Sequence, residues 1–79
     1  MRMKWKFIVK NPAVCGGLPV FIKTRIPIYI ILDLLSSGET YDSILDNYPQ
    51  LTKEHILEAI HYVSEYSRYK EEFLEFSNR

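Results

Sequence analysis

The chain has 79 residues, enough for one domain but not for two hydrophobic cores. It contains a single cysteine, Cys15, which excludes an internal disulfide and fits a reducing compartment. The basic N-terminus lacks the apolar run of a signal peptide, and the longest apolar run, Ile26 to Leu32, is far shorter than a membrane span. The sequence therefore predicts one soluble, cytoplasmic domain over residues 1–79.

The charges are unevenly distributed along the chain, although they sum to zero. Residues 1–25 contain six basic residues and no acid, whereas residues 26–79 contain four basic residues and all ten acids. Such asymmetry indicates that one end of the chain meets an anion or an acidic surface. The alternative is that the two halves neutralise each other within the fold.

Residues 1–26 predict a small β element. Trp5 to Val9 is rich in aromatic and β-branched residues, as edge strands are. Turn signals follow at Asn11-Pro12 and Gly16-Gly17, and residues 19–22 then predict a second short strand. Arg25-Ile26 can return beside that strand across a turn, which would give two or three short strands.

Residues 27–37 predict helix 1. Pro27 suits the first helical turn because its missing N–H would have no partner there, and Gly38 is the expected stop. A helix this apolar must be covered on more than one side, and the strands can cover one side and helices 2 and 3 another. A homodimer is the other expectation, because one small domain does not easily cover such a helix. Its main apolar stripe follows the helical spacing i, i+3, i+4, i+7 and consists of Ile28, Ile31, Leu32 and Leu35.

Two further helices follow a pair of tight turns. Helix 2 is predicted over residues 41–48, with Thr40 as its N-cap and Pro49 ending it. Helix 3 is predicted over residues 53–76, with Thr52 as its N-cap. The predicted fold class is mainly α: an N-terminal β-hairpin and a three-helix, homeodomain-like or winged-helix-like helix-turn-helix bundle, with an extended C-terminal helix.

Helix 3 carries three sequence stripes. A core stripe of Ile56, Ile60 and Val63 fails after Val63, so we expect the helix to leave the domain core there. A solvated stripe is predicted from Glu54, Glu58, His61 and Glu65 onwards. An apolar line, spaced by alternating steps of three and four, consists of Ala59, Tyr62, Tyr66, Tyr69, Phe73 and Phe76.

The aromatic residues of that line are the candidate partner-binding surface. Aromatic anchors at this spacing suit a helix laid in a groove or packed against a second copy of itself. The alternative is that the tail folds back onto a small core that recruits aromatic side chains. The candidate partner-binding residues are Tyr62, Tyr66, Tyr69, Phe73 and Phe76.

A helix-turn-helix places the start of its second helix against DNA bases. Helix 3 begins with one lysine among several glutamates, which is a weak basic face for a DNA reader, and capping explains Thr52 equally well. The better cations lie upstream, in the first 25 residues. The candidate DNA-binding residues are Lys23, Arg25, Gln50, Thr52, Lys53 and His55.

No catalytic motif is present in the sequence. Cys15 beside two glycines is more typical of a structural position than of a nucleophile. Glu58, His61 and Glu65 share a helix face, but that spacing describes any solvated face equally well. We therefore predict no catalysis, no metal and no cofactor.

Four sequence blocks resemble the prokaryotic family of unknown-function domains numbered 433. They are N-P-x-V-C-G-G-x-P-V, T-R-I-P-I, L-L-S-S-G-E-T and I-L-x-N-Y-P-x-L-T, in this order from Asn11 to about Tyr62. The resemblance implies a β-hairpin joined to a homeodomain-like three-helix unit. It also implies an antitoxin, encoded beside the PIN-like nuclease that it silences. One departure is Lys23, where the family usually has glycine.

Together, the aromatic line on helix 3 and what the resemblance implies predict an antitoxin-like module that binds a PIN-like nuclease toxin through its C-terminal helix. Binding of operator DNA through the helix-turn-helix is expected as a second role. The alternative is a homodimeric protein-interaction module with no role at DNA. The neutral net charge and the acidic helix 3 leave both functions open.

Overall fold

The computed structural model describes the backbone of residues 5–77 and the side chains of residues 5–65. The described fold is mainly helical, as the sequence predicts, and a 3₁₀ turn at Cys15–Gly17 separates its two strands. In chain order the elements are β1 (Ile8–Val9), β2 (Val20–Phe21), α1 (Ile28–Ser36), α2 (Tyr41–Asn47) and α3 (Lys53–Ser77).

The two strands form an antiparallel hairpin in which Ile8 lies opposite Phe21 and Val9 lies opposite Val20. Each strand has only two residues and is shorter than the predicted segments 5–9 and 19–22. Beyond the two paired residues, the Ile22 N–H still donates to the Phe7 carbonyl at 2.7 Å.

The segment after β2 returns beside it, as predicted, and leads into α1. The Phe21 N–H donates to the Ile26 carbonyl at 3.0 Å, and the Ile28 N–H donates to the Pro19 carbonyl at 3.1 Å. Pro27 pairs with β2 in an isolated antiparallel bridge. Pro27 therefore has an extended backbone, with ψ at 142°, and α1 begins at Ile28 rather than at the predicted residue 27.

The end of α1 follows the prediction made from glycine. Gly38 has a φ of 98°, which only glycine adopts without cost. Its N–H donates to the Leu35 carbonyl at 3.0 Å, and the Glu39 N–H donates to the Leu34 carbonyl at 3.0 Å. These two bonds form a Schellman motif and satisfy carbonyls that the helix end would otherwise leave free.

The turn between α2 and α3 is short and closed. Thr40 caps α2, since its hydroxyl accepts from the Ser43 N–H at 3.1 Å. Tyr48 leaves helical geometry ahead of Pro49, so α2 ends one residue earlier than predicted. The Leu51 N–H then donates to the Tyr48 carbonyl at 3.0 Å, and the Leu51 side chain is buried.

The hydrophobic core takes residues from both strands and all three helices. On α3 the structure corrects the predicted stripes, because Ala59 is fully buried whereas Ile60 is 39% exposed. The core thus faces the side of α3 between the two predicted apolar lines, where the hairpin and α1 both reach it. The fully buried core residues are Phe21, Ile28, Ile31, Ile44, Ile56 and Ala59.

Among the helices that the structure describes, none has the length and the apolar character needed to cross a membrane.

Candidate functional site

Thr52 and His55 form a reciprocal cap at the start of α3. The Thr52 N–H donates to His55 Nδ1 at 3.1 Å, and the Thr52 hydroxyl lies 2.8 Å from the same nitrogen. In return, the His55 N–H donates to the Thr52 hydroxyl at 3.4 Å. This is the geometry of a capping box, with histidine in the place of the usual glutamate or glutamine. Because Nδ1 accepts, the ring proton is assigned to Nε2.

The His55 ring also fastens the hairpin to α3. It stacks on Phe7 with ring centroids 4.1 Å apart and meets the edge of Phe21 at 5.8 Å. Burial lowers the pKa of His55 below its usual value, while the carboxylates of Glu58 and Glu54 oppose that shift. The candidate DNA-contacting histidine is therefore a half-buried side chain whose neutral form is favoured and which holds two elements together.

Glu58 makes the second attachment between the hairpin and α3. Its carboxylate accepts from the Phe7 N–H at 2.7 Å, in a half-buried position. The prediction that Glu58 belongs to a solvated stripe is wrong at this position, because the chain before β1 covers it. A charge-assisted hydrogen bond of this length is among the stronger types in proteins.

Trp5 extends the covered side of α3 by another turn. Its ring meets His61 edge-on at 5.6 Å and tilts against Tyr62 at 5.0 Å. The Nε2 atom of His61 lies 3.0 Å from a carboxylate oxygen of Glu65. Among residues 5–65 the structure brings together no cluster of three metal-ligating side chains, so Glu58, His61 and Glu65 do not converge.

Gln50 and Lys53 are exposed at the end of the bundle where α3 begins. The Lys53 ammonium lies 5.2 Å from the centre of the Tyr41 ring, a cation–π distance. Thr52 is exposed as well, but its hydroxyl and its N–H are both used by the cap. Of the DNA candidates in the helix-turn-helix, Gln50 and Lys53 thus present side chains to solvent.

Lys23 and Arg25, the other DNA candidates, lie together at a separate place, an open cleft of about 570 Å³ in the hairpin region. Both side chains are exposed, and no residue of α2 or α3 lines the cleft. Sequence reasoning found these two cations but not the cleft between them. The lining residues are Val9, Asn11, Val14, Val20, Lys23, Thr24 and Arg25.

The backbone conformation at this cleft explains why the family usually has glycine at the position that Lys23 occupies in this chain. Lys23 has a φ of 62°, in the left-handed region where glycine is free of strain. Cys15 also has a positive φ, of 50°, and its thiol donates to the Arg25 carbonyl at 3.3 Å. Cys15 thus ties the turn before β2 to the segment after it.

The candidate partner-binding residues divide into two groups. Tyr62 is half-buried, packs against the hydrophobic core and touches Trp5. Tyr66, Tyr69, Phe73 and Phe76 lie outside the described side chains, although the backbone of α3 continues to Ser77.

Comparison with known proteins gives a consistent result. The family model described as "Protein of unknown function (DUF433)" matches residues 8–63. The crystal structure of a DUF433 member protein from Anabaena variabilis ATCC 29413 is similar at 31% sequence identity, with a TM-score of 0.72. The similarity covers 86% of this chain and 67% of that chain. No curated protein matches the sequence.

Proposed function

Because the chain belongs to the DUF433 family, we propose that it is an antitoxin-like module of a prokaryotic toxin–antitoxin pair. In this proposal it binds a PIN-like nuclease toxin through the C-terminal part of α3. The nuclease is what the resemblance of the four sequence blocks implies. The observation that supports α3 as the binding surface is that this helix is longer than the part of it that packs against the hydrophobic core.

Helix α3 has 25 residues, or about 37 Å at 1.5 Å per residue. Among the described side chains, its fully buried residues, Ile56 and Ala59, lie in the first two turns, and Tyr62 and Val63 pack at the edge of the core. The radius of gyration is 14.1 Å, compared with about 12 Å for a compact domain of this size. The helix is therefore longer than is needed to place the core side chains of its first half.

The sequence of the remaining turns suits a protein partner. Aromatic residues continue from Tyr66 to Phe76 at alternating steps of three and four, as in helices that bind in grooves. Three glutamates, Glu71, Glu72 and Glu75, lie between them, and the three basic residues of the same segment, Arg68, Lys70 and Arg79, balance their charge. The spacing of the aromatic residues, and not a net charge, is therefore what supports a protein partner in this proposal.

Co-purification with the candidate nuclease tests this proposal. We expect the double substitution Tyr66→Glu and Phe73→Glu to abolish binding, because it places two charges among the aromatic anchors. The matched control is the double substitution Ser64→Glu and Ser67→Glu, which adds the same charge at positions that helical periodicity places away from the aromatic line. Equal binding by both variants would remove α3 as the binding surface.

A role at operator DNA is the second part of the proposal. It is favoured by the exposed Gln50 and Lys53 at the start of α3, the position from which helix-turn-helix proteins contact bases. We expect Lys53→Gln to weaken a mobility shift on the promoter of its own gene, and binding to fall steeply with added salt. A flat salt response would remove DNA from the proposal.

A homodimeric interaction module without a DNA role remains the alternative function. Exposed apolar side chains on α1 and α3 favour it: Tyr29 and Ile30 are each 42% exposed, and Leu57 is 47% exposed. Sedimentation velocity over a hundredfold range of concentration tests it. A monomer throughout would exclude this alternative, and a dimer that Ile30→Glu dissociates would support it.

A further inference from the structure

The cleft lined by Lys23 and Arg25 belongs to neither surface used above. We propose that it binds a small phosphate monoester whose esterified group is apolar or aromatic, a ligand of about the size of a mononucleotide. Its volume of about 570 Å³ lies within the usual range of small-molecule sites, roughly 300–1,000 Å³.

The two positive charges of the lining, on Lys23 and Arg25, favour a ligand that carries two negative charges. Lys23 and Arg25 are both exposed, and neither side chain has a hydrogen bond or ion pair with another residue of the described part of the chain. The lining contains no aspartate and no glutamate. A phosphate monoester carries about −1.5 to −2 at neutral pH, whereas a carboxylate would neutralise only one of the two cations. Arginine can also bind two phosphate oxygens at once.

Asn11 adds an oriented donor. Its side-chain oxygen accepts from the Ala13 N–H at 2.9 Å, which fixes the plane of the amide. The two N–H groups of that amide are left to donate, and Asn11 lines the same cleft as the cations. Phosphate oxygens accept hydrogen bonds from such donors, so the amide and the cations favour the same group.

The backbone that carries both cations is already held in place. The Thr24 N–H and hydroxyl both donate to the Phe21 carbonyl, at 3.1 and 2.7 Å. The Ile26 N–H donates back to the Thr24 hydroxyl at 3.0 Å, and the Cys15 thiol holds the Arg25 carbonyl. A site whose backbone is ordered beforehand loses less entropy when a ligand binds.

The apolar part of the lining favours a phosphate that carries an apolar ester group over inorganic phosphate. Val9, Val14 and Val20 line the cleft alongside the polar residues, and Val20 is almost fully buried. An ester group that covers Val9 and Val14, which are only half-buried, gains from the removal of their apolar surface from water. Inorganic phosphate reaches the same cations without that gain, so we expect it to bind more weakly.

Amide chemical-shift titration of the full chain tests this site, with phenyl phosphate and AMP as probes. We expect shifts around residues 9–25 with both probes, at least about tenfold weaker binding of inorganic phosphate, and no binding of adenosine. Arg25→Gln and Lys23→Gln should each weaken the esters about tenfold. Lys6→Gln removes the same charge from an exposed lysine that does not line the cleft, and it should leave their affinity unchanged.

Two results would overturn the proposal. One is an absence of saturable shifts with either ester up to millimolar concentration. The other is ester binding that Arg25→Gln and Lys23→Gln leave unchanged. Val14→Ala separates the two parts of the ligand, since it should weaken phenyl phosphate and leave inorganic phosphate as it was. If a DNA duplex displaces neither ester, the cleft is a small-molecule site and not part of a DNA surface.

Discussion

The two halves of α3 differ in how they are connected to the rest of the molecule. The first half is capped by Thr52, buries Ile56 and Ala59, and receives Phe7 through a ring stack and a hydrogen bond. The second half carries an aromatic pattern in its sequence and continues the same helix to Ser77. The comparison separates residues that make the fold from residues that we propose to contact a partner.

The largest expected effect lies in the first half. Ile56 is fully buried, so Ile56→Ala removes apolar contacts and leaves a cavity beside the hairpin and α1. We expect a loss of about 2–5 kcal/mol in the free energy of unfolding, measured with urea. This is a large fraction of the stability of so small a domain.

The matched change in the second half is Tyr69→Ala. If the proposed binding surface is right, we expect this change to alter the free energy of unfolding by less than about 0.5 kcal/mol, as surface substitutions usually do, and to weaken the proposed complex with a nuclease. If Tyr69→Ala destabilised the chain as strongly as Ile56→Ala, the tail would belong to the core and the comparison would fail.

Glu58 gives an effect of intermediate size. Glu58→Ala removes the acceptor of the half-buried Phe7 N–H, and we expect it to cost about 1–3 kcal/mol of stability. Glu58→Gln keeps a neutral acceptor and should recover part of that loss. Glu54→Ala is the control, because Glu54 is an exposed glutamate in the same first turns and should change stability far less. Equal losses at the two positions would show that the charge on α3 matters rather than the bond.

Local features of the fold could be predicted from the sequence, and long-range ones could not. The glycine stop of α1 and the threonine caps of α2 and α3 are set by neighbours within a few residues, so their residue types reveal them. The bond from Phe7 to Glu58 joins positions 51 residues apart, and no local pattern encodes it. The same holds for the cleft, where Asn11 and Arg25 meet only once the hairpin has formed.

Substitution of Lys23, in the hairpin that packs on the first half of α3, should change the free energy of unfolding less than substitution of Glu58 does. Its φ of 62° costs a non-glycine residue energy that glycine does not pay. Glycine also has more conformational freedom to lose on folding, which offsets part of the gain. We expect Lys23→Gly to raise the free energy of unfolding by up to about 1 kcal/mol. Lys23→Ala is the control: it removes the same charge without relieving the backbone and should not stabilise the chain.

The smallest effect is expected from the titration of His55, because burial and the two nearby carboxylates shift its pKa in opposite directions. Burial prevails and the pKa is lowered, so the unfolded chain binds a proton at a higher pH than the folded chain does. The stability from neutral His55 is therefore complete above about pH 6.5 and declines as the pH falls towards the folded pKa.

Protonation of Nδ1 would also remove the acceptor of the Thr52 N–H and weaken the contact with the hairpin. Thermal unfolding between pH 7.5 and 5.5 should show this decline, above the range in which carboxylates titrate. His55→Gln can still complete the capping box and should flatten the profile. A slope that survives His55→Gln would place the titrating group elsewhere, and the junction of hairpin and α3 would then be insensitive to pH.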